Sequence, residues 1–372
     1  MEELQIQINL AKNILEVKTQ NLTGHIIRVL KWNTILDFPY EHGFSILKND
    51  VPLQYTGPRY KRAFDAEVSL ITFAVEETKS FTYDLVDIIN QFDCDEVTTS
   101  DIITLTIAKK QAELVTDVEQ LQDSELLPDD LKEIKLTANV VELGGNLVIE
   151  LYKKKIDQTT SSNIEFEQVP LCVFGHNSGW EQQGPTNNHI IGYPLYSGVN
   201  ATRQAIINKA IKFIFQNKSS LISVSNNALY KRWFGNFTTA NKQQIDSTLQ
   251  KIHKGACPSY IVFDGSGTSR CTADTFAWVQ YSVQYNNNAR QCSASNHYCH
   301  KLFLCSKFWT RPFRGADSQV GTLIHELSHA YAYTNDDKYG KPLCLRYAQT
   351  NPNLAIRNAD NIEYYCEELL GV

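Results

Sequence analysis

The chain has 372 residues, 42% of them apolar and 20% charged, with a formal net charge of −6 at pH 7. That balance excludes a disordered tail or a collagen-like fibre and fits about two globular domains. The longest basic cluster, Lys153–Lys155, is too short for the basic stripe of a nucleic-acid binder, and no run of 18 apolar residues exists to cross a membrane.

The first 156 residues read as a β domain. Ile103-Thr-Leu105-Thr-Ile107 and Phe81-Thr-Tyr83-Asp-Leu85 alternate apolar and polar residues at period two. Leu147-Val-Ile149-Glu-Leu151 is an apolar run of strand length. Lys48-Asn-Asp50, between Phe44-Ser-Ile46 and Val51-Pro-Leu53, predicts a hairpin turn. An antiparallel β-sandwich follows. Residues 157–196 are rich in Thr, Ser, Asn, Gly and Gln and read as a linker. Residues 197–372 change character: Ala205 to Phe213 and Phe234 to Leu249 have helical spacing. The fold class is therefore α+β in two domains, the second mainly helical.

Within that second domain stands His325-Glu326-Leu327-Ser328-His329. Apolar residues at 320, 323, 324, 327 and 331 give its helix one buried face, and Asp317 stands where an N-cap is expected. Residues i and i+4 share a helix face, so both histidines can reach one metal ion. Glu326 then lies beside it as general base. Two histidines on a helix can also be plain surface residues, but this apolar context argues against it. A catalytic zinc needs a third protein ligand and an open position. No histidine follows His329, so a carboxylate is expected, with Asp336 and Asp337 in the reversing loop nearest, and Asp360, Glu363, Glu367 and Glu368 beyond.

Here the sequence resembles the aspzincins, the deuterolysins and peptidyl-Lys metalloendopeptidases. Their H-E-x-x-H is followed by G-T-x-D-x-x-Y-G. This chain reads Tyr333-Thr-Asn-Asp336-Asp337-Lys-Tyr339-Gly340, with Tyr333 in place of the first glycine and a short spacing from His329. Tyr230–Gly235, Cys271–Ala277, Leu302–Trp309 and Asn351–Tyr364 also look like family segments, and residues 29–85 are more loosely similar to a β-sandwich pro-region. The resemblance implies one zinc per chain held by His325, His329 and Asp336, with Glu326 as base and Tyr339 as oxyanion donor. It implies acidic residues, Asp360 and Glu363, that hold a substrate lysine after the cut, and a disulfide between Cys271 and Cys305. It further implies a zymogen acting as a monomer on proteins or peptides. Its pro-domain (1–156) is joined by a processing junction (157–196) to the protease (197–372), and it blocks the cleft with one of its lysines in the acidic pocket. A solvated helix face is the plain alternative for Asp360 and Glu363.

The remaining cysteines are harder to read. Seven of nine lie at or beyond Cys257, which suggests disulfides and an oxidising, extracellular destination. The N-terminus has no basic start and apolar core, so no leader is expected in this chain. Delivery into a target cell as a narrow-substrate effector or toxin reconciles the two signals differently. A non-catalytic zinc-stabilised binding protein is the alternative from another class. Cys344–Cys366 and Cys292–Cys299 are candidate further bridges. Cys292, His297, Cys299, His300 and Cys305 are a weaker candidate for structural metal, and Cys172 or His176 for capping the zinc.

Overall fold

A computed structural model describes residues 3–32, 34–37, 43–63, 69–115, 132–158, 167–168, 195–221, 223–225, 227–255, 261–265, 268, 270–283 and 299–371. They form two compact units: residues 1–58 with 64–163, and residues 59–63 with 164–372. The expected pairing Cys292–Cys299, His297, Cys172 and His176 lie wholly or partly outside the described residues.

The first unit holds strands β1 (Glu3–Ala11), β2 (Ile14–Asn21), β3 (Ile27–Leu30), β4 (Phe44–Lys48) and β5 (Val51–Pro52). A short strand, β6 (Arg59–Arg62), belongs to the second unit. The first unit resumes with β7 (Leu70–Phe73), β8 (Thr78–Asp84), β9 (Ile102–Ile107), β10 (Gln111–Leu114), β11 (Lys132–Ala138) and β12 (Val141–Gly144). Helices α1 (Leu85–Ile89) and α2 (Gly145–Gln158) accompany them. A seven-stranded sheet runs β7-β3-β10-β11-β1-β2-β8, and a four-stranded sheet runs β12-β9-β4-β5. Ile6, Val17 and Leu136 of one sheet share a core with Ile46 and Leu105 of the other. This is the expected β architecture, except that β1 and β11 pair parallel where an antiparallel sandwich was expected. The β4–β5 turn carries Asn49 and Asp50 at φ 49° and 67°, the left-handed pair that a two-residue hairpin demands.

One expected strand is a helix. Leu147–Leu151 lies in α2, where Val148 and Leu151 are fully buried and Leu147 and Ile149 only partly so. Burial three residues apart is the helical spacing. A strand would have buried 147, 149 and 151 together.

The second unit holds β13 (Glu167–Gln168), β14 (Leu195–Ser197), β15 (Ile261–Asp264), β16 (Thr275–Val283) and β17 (Cys299–Leu304). Its helices are α3 (Ala201–Gln216), α4 (Lys218–Leu221), α5 (Ala228–Phe234), α6 (Thr239–Gly255), α7 (Ser306–Thr310), α8 (Gln319–Ala332), α9 (Lys341–Thr350), α10 (Pro352–Ala355) and α11 (Ala359–Leu369). The helix expected from Phe234 begins instead at Thr239. Gly235 ends α5 at φ 69°, and a Cβ there would stand 2.2 Å from the Ala348 carbonyl oxygen. The sheet order is β13-β14-β15-β17-β16-β6, with β6 antiparallel to β16 at the edge. Helix α8 is the centre of this unit: residues 319–330 are all buried, and Val320, Leu323, Ile324 and Leu327 enter its main core.

Cys271 and Cys305 form a disulfide. Cys344 and Cys366 do not: both are free and buried, which corrects that candidate pairing. The Cys344 thiol sits 3.5 Å from the Lys338 carbonyl oxygen and from Asn358 Nδ2, and burial holds both thiols well above their ordinary pKa.

Candidate metal centre

Helix α8 starts at Ser318, whose hydroxyl accepts the Gly321 N–H at 2.9 Å. Ser318 is thus the N-cap, not Asp317. Asp317 adopts φ 53° and turns its carboxylate elsewhere. The helix ends at Tyr333 in the left-handed conformation, φ 56°, and this is the position where the resembling family has glycine. The reversal carries the chain to Asn335, which exchanges backbone hydrogen bonds with the stretch around Asn358: its N–H donates to Arg357 O at 2.8 Å, and Ala359 N–H donates to its carbonyl at 2.9 Å. Asn358 Oδ1 accepts the N–H groups of Asp337 and Lys338 at 2.8 and 3.0 Å. Asn358 therefore anchors the loop that presents Asp336, and the sequence reading had no signal for it.

His325 Nε2 and His329 Nε2 are 3.0 Å apart, and Asp336 Oδ1 lies 3.2 and 3.0 Å from them. All three residues are buried. Donor atoms around a tetrahedral zinc at roughly 2.0–2.1 Å stand about 3.3 Å apart, so the set fits such an ion. The other ring nitrogens are engaged. His329 Nδ1 lies 2.9 Å from the Thr334 carbonyl oxygen, and His325 Nδ1 lies 2.9 Å from Asp360 Oδ1. Those contacts turn both Nε2 atoms towards the shared centre, as oriented metal-binding histidines require. Burial alone would lower the proton affinity of His325, yet Asp336, Asp360 and Glu363 hold it well above the ordinary value. So much carboxylate around one imidazole calls for positive charge. Asp337, the other candidate ligand, accepts instead from the Tyr347 hydroxyl at 3.2 Å.

Glu326 is fully buried beside this centre. Burial drives its carboxyl well above the usual range, opposed by His325 and by the Lys61 backbone N–H. The buried Tyr339 ring centroid is 6.5 Å from that of His325.

Asp360 and Glu363 are fully buried rather than solvated, and strand β6 fills the space before them. Lys61 Nζ reaches Glu363 Oε2 at 2.8 Å, Asp360 Oδ1 at 3.1 Å and Asp317 Oδ1 at 2.8 Å. Its ammonium stands 4.9 Å from the Tyr364 ring centroid. Although burial disfavours the charge, the three carboxylates hold the Lys61 pKa well above its ordinary value. Asp317, read in the sequence as a helix cap, is the third acid of this seat, and the Tyr364 hydroxyl donates to it at 2.9 Å. His325, Asp360 and Glu363 also form a second cluster of metal-capable groups, but here the lysine ammonium lies between the carboxylates. The backbone of the residue before this lysine reaches the histidine centre. Tyr60 N–H donates to Asp336 Oδ2 at 2.9 Å, and the Tyr60 carbonyl oxygen is 3.1 Å from His325 Nε2.

Glu367 closes the floor. Its Oε1 accepts from Ser318 N–H and Oγ at 3.0 and 2.8 Å, while burial and the neighbouring Glu363 push its pKa up to about 8. Gly321 makes room for it: a Cβ there would stand 1.9 Å from Glu367 Oε1. A carboxyl pKa raised in the folded state gives stability that is complete below the unfolded value and lost as pH rises through the folded one. The Glu367 contribution is therefore lost between about pH 4.5 and 8. Glu367→Gln keeps an acceptor for Ser318 without the charge. Its melting temperature should gain on the unsubstituted chain from pH 5 to pH 8; a constant difference would contradict this.

Two histidines one helical turn apart, a glutamate beside them and a carboxylate from the following loop define a class, the zinc metallopeptidases whose third ligand is acidic. The family model described as lysine-specific metallo-endopeptidase, the aspzincins, matches residues 221–367. A peptidyl-Lys metalloendopeptidase from Pleurotus ostreatus is 32% identical over 183 residues, 46% of this chain and 95% of that protein. An extracellular protease from Aeromonas hydrophila is 34% identical over 158 residues, 41% of this chain and 40% of its own length. A peptidyl-Lys metalloendopeptidase from Armillaria mellea is 30% identical over 179 residues, 46% of each. The chain thus spans less than half the length of the Aeromonas and Armillaria proteins and nearly all of the Pleurotus one. It belongs to the aspzincin family of zinc metalloendopeptidases.

Proposed function

We propose that the chain is a zinc endopeptidase that cuts proteins on the N-terminal side of lysine, and that strand β6 holds it latent by occupying the substrate path. One observation carries the reading. The Lys61 ammonium is bound by three carboxylates, two of them fully buried, while the carbonyl preceding Lys61 lies against His325. A substrate lysine in the same seat would bring the bond on its N-terminal side to the same atoms.

His325, His329 and Asp336 would hold one zinc per chain. Zinc supplies a Lewis acid that polarises a carbonyl and makes water acidic near neutral pH. Glu326, kept protonatable by its burial, takes the proton of the attacking water and returns it to the leaving amine. With a substrate lysine in the Lys61 seat, that amine corresponds to the Lys61 backbone nitrogen. Tyr339 donates to the oxygen on which charge develops. Asp360 has two tasks, since one oxygen faces both the lysine seat and His325 and the other accepts Gly340 N–H at 2.7 Å. The Cys271–Cys305 disulfide supports action in an oxidising, extracellular setting.

The test is casein digestion by the chain before and after limited proteolysis within residues 157–196, with zinc measured alongside. Activity should emerge on processing, vanish with a chelator and return with zinc. His329→Ala and Asp336→Asn should bind little zinc. Chelator-insensitive digestion would overturn the zinc reading, and equal activity before and after processing would overturn latency. Digestion of one protein but not casein would favour the narrow-substrate effector.

A further inference from the structure

Strand β6 shows more than its lysine. Side chains alternate along a strand, so Tyr60 and Arg62 leave the opposite face from Lys61. Arg62 pairs opposite Thr275 and Lys61 opposite Ala277, and the register shifts between those two residues of β16. That irregularity accompanies a close pairing of Arg62 with Asp274. Arg62 Nη1 donates to Asp274 Oδ2 at 3.2 Å, both side chains being buried. Asp274 is held in place from its other side: Oδ1 accepts the Thr272 hydroxyl at 2.5 Å and the Thr275 hydroxyl at 3.4 Å. Its backbone carbonyl accepts Ala63 N–H at 2.8 Å, which continues the ladder past the guanidinium. The carboxylate is thus oriented by the fold and aimed at the residue that follows the lysine.

We propose that Asp274 is a specificity-determining residue that seats a basic side chain at the second position after the cut, making lysine followed by arginine or lysine the preferred sequence. The inference rests on the proposed lysine-directed cleavage, with β6 standing in the substrate path. A charge-assisted hydrogen bond to a buried carboxylate is strong enough to discriminate about tenfold or more between substrates.

The test uses the full chain activated by limited proteolysis, with three peptides that differ only after the lysine: Tyr-Lys-Arg, Tyr-Lys-Ala and Tyr-Lys-Glu. The ratio of kcat/KM for the arginine peptide over the alanine peptide should be about ten, with the glutamate peptide poorest. In Asp274→Asn the ratio should fall towards one, and in Asp274→Lys the glutamate peptide should overtake the arginine peptide. Ratios within one preparation are insensitive to how much of a variant folds. An unsubstituted ratio near one, or a preference that survives in both variants, overturns the proposal. A second measurement needs no activity. In the intact chain, hydrogen exchange of the 59–63 amides should quicken at least about tenfold in Asp274→Asn while α8 stays protected. Unchanged exchange there overturns it too. Cuts before residues other than lysine would overturn the lysine reading instead, and would be seen as shifted product masses.

Discussion

Replacing Lys61 by methionine should switch the intact chain on. Methionine keeps the length of the side chain but removes the ammonium that three carboxylates share. Each charge-assisted hydrogen bond is worth about 1.5–3 kcal/mol. Loss of the seat should therefore weaken β6 enough to raise activity without processing by about a hundredfold or more. Stability should move the other way. Removing one partner of a buried ion pair strands the others, at a cost of about 3–5 kcal/mol, so the melting temperature should fall as activity rises. Peptide hydrolysis and thermal unfolding on the same preparation read both effects. A variant that is destabilised but still silent would show that β6 does not block the site through Lys61. A variant that is neither would show that the seat is not occupied in solution.

Glu326→Gln should have the opposite effect on a processed chain. The amide matches the carboxylate in shape and leaves the converging atoms of His325, His329 and Asp336 as they are. It cannot accept a proton, and proton transfer by a positioned side chain accounts for about 10²–10⁴-fold in rate. We therefore expect kcat to drop by about that factor while zinc content and melting temperature stay near those of the unsubstituted chain. Retention of activity within about tenfold would remove Glu326 from the role of general base. Loss of zinc would show that it helps hold the metal.

Much of the site was legible because its chemistry is local. Two histidines and a glutamate on one apolar-faced helix announce themselves by spacing, and the reversing loop beyond offers its carboxylates nearby. The lysine seat was legible only through the family resemblance, since Asp360 and Glu363 look like any solvated pair until burial is known. Asp317 was misread because a residue beside a helix start resembles a cap in sequence, whereas its left-handed backbone turns it into the pocket. Asn358 and Lys61 were not individually legible. Asn358 acts through backbone groups 20 and 21 residues away, and Lys61 meets Asp360 across 299 positions of chain. A lysine in the acidic pocket was expected, but nothing in the local pattern singles this one out. The fold shows the same division. The Asn49-Asp50 turn and the alternating strands follow from local preference. The Leu147–Leu151 segment does not, because a short apolar run fits either period and only packing decides between them.

The most direct test of the account is the sequence of the cut ends. A denatured protein digested by the processed chain, followed by mass spectrometry of every new N-terminus, reports which residue occupied the acidic seat at the moment of cleavage. Lysine should begin nearly all of the new ends. New ends with no preference for lysine would contradict the account, because Asp317, Asp360 and Glu363 would then have no part in choosing the bond.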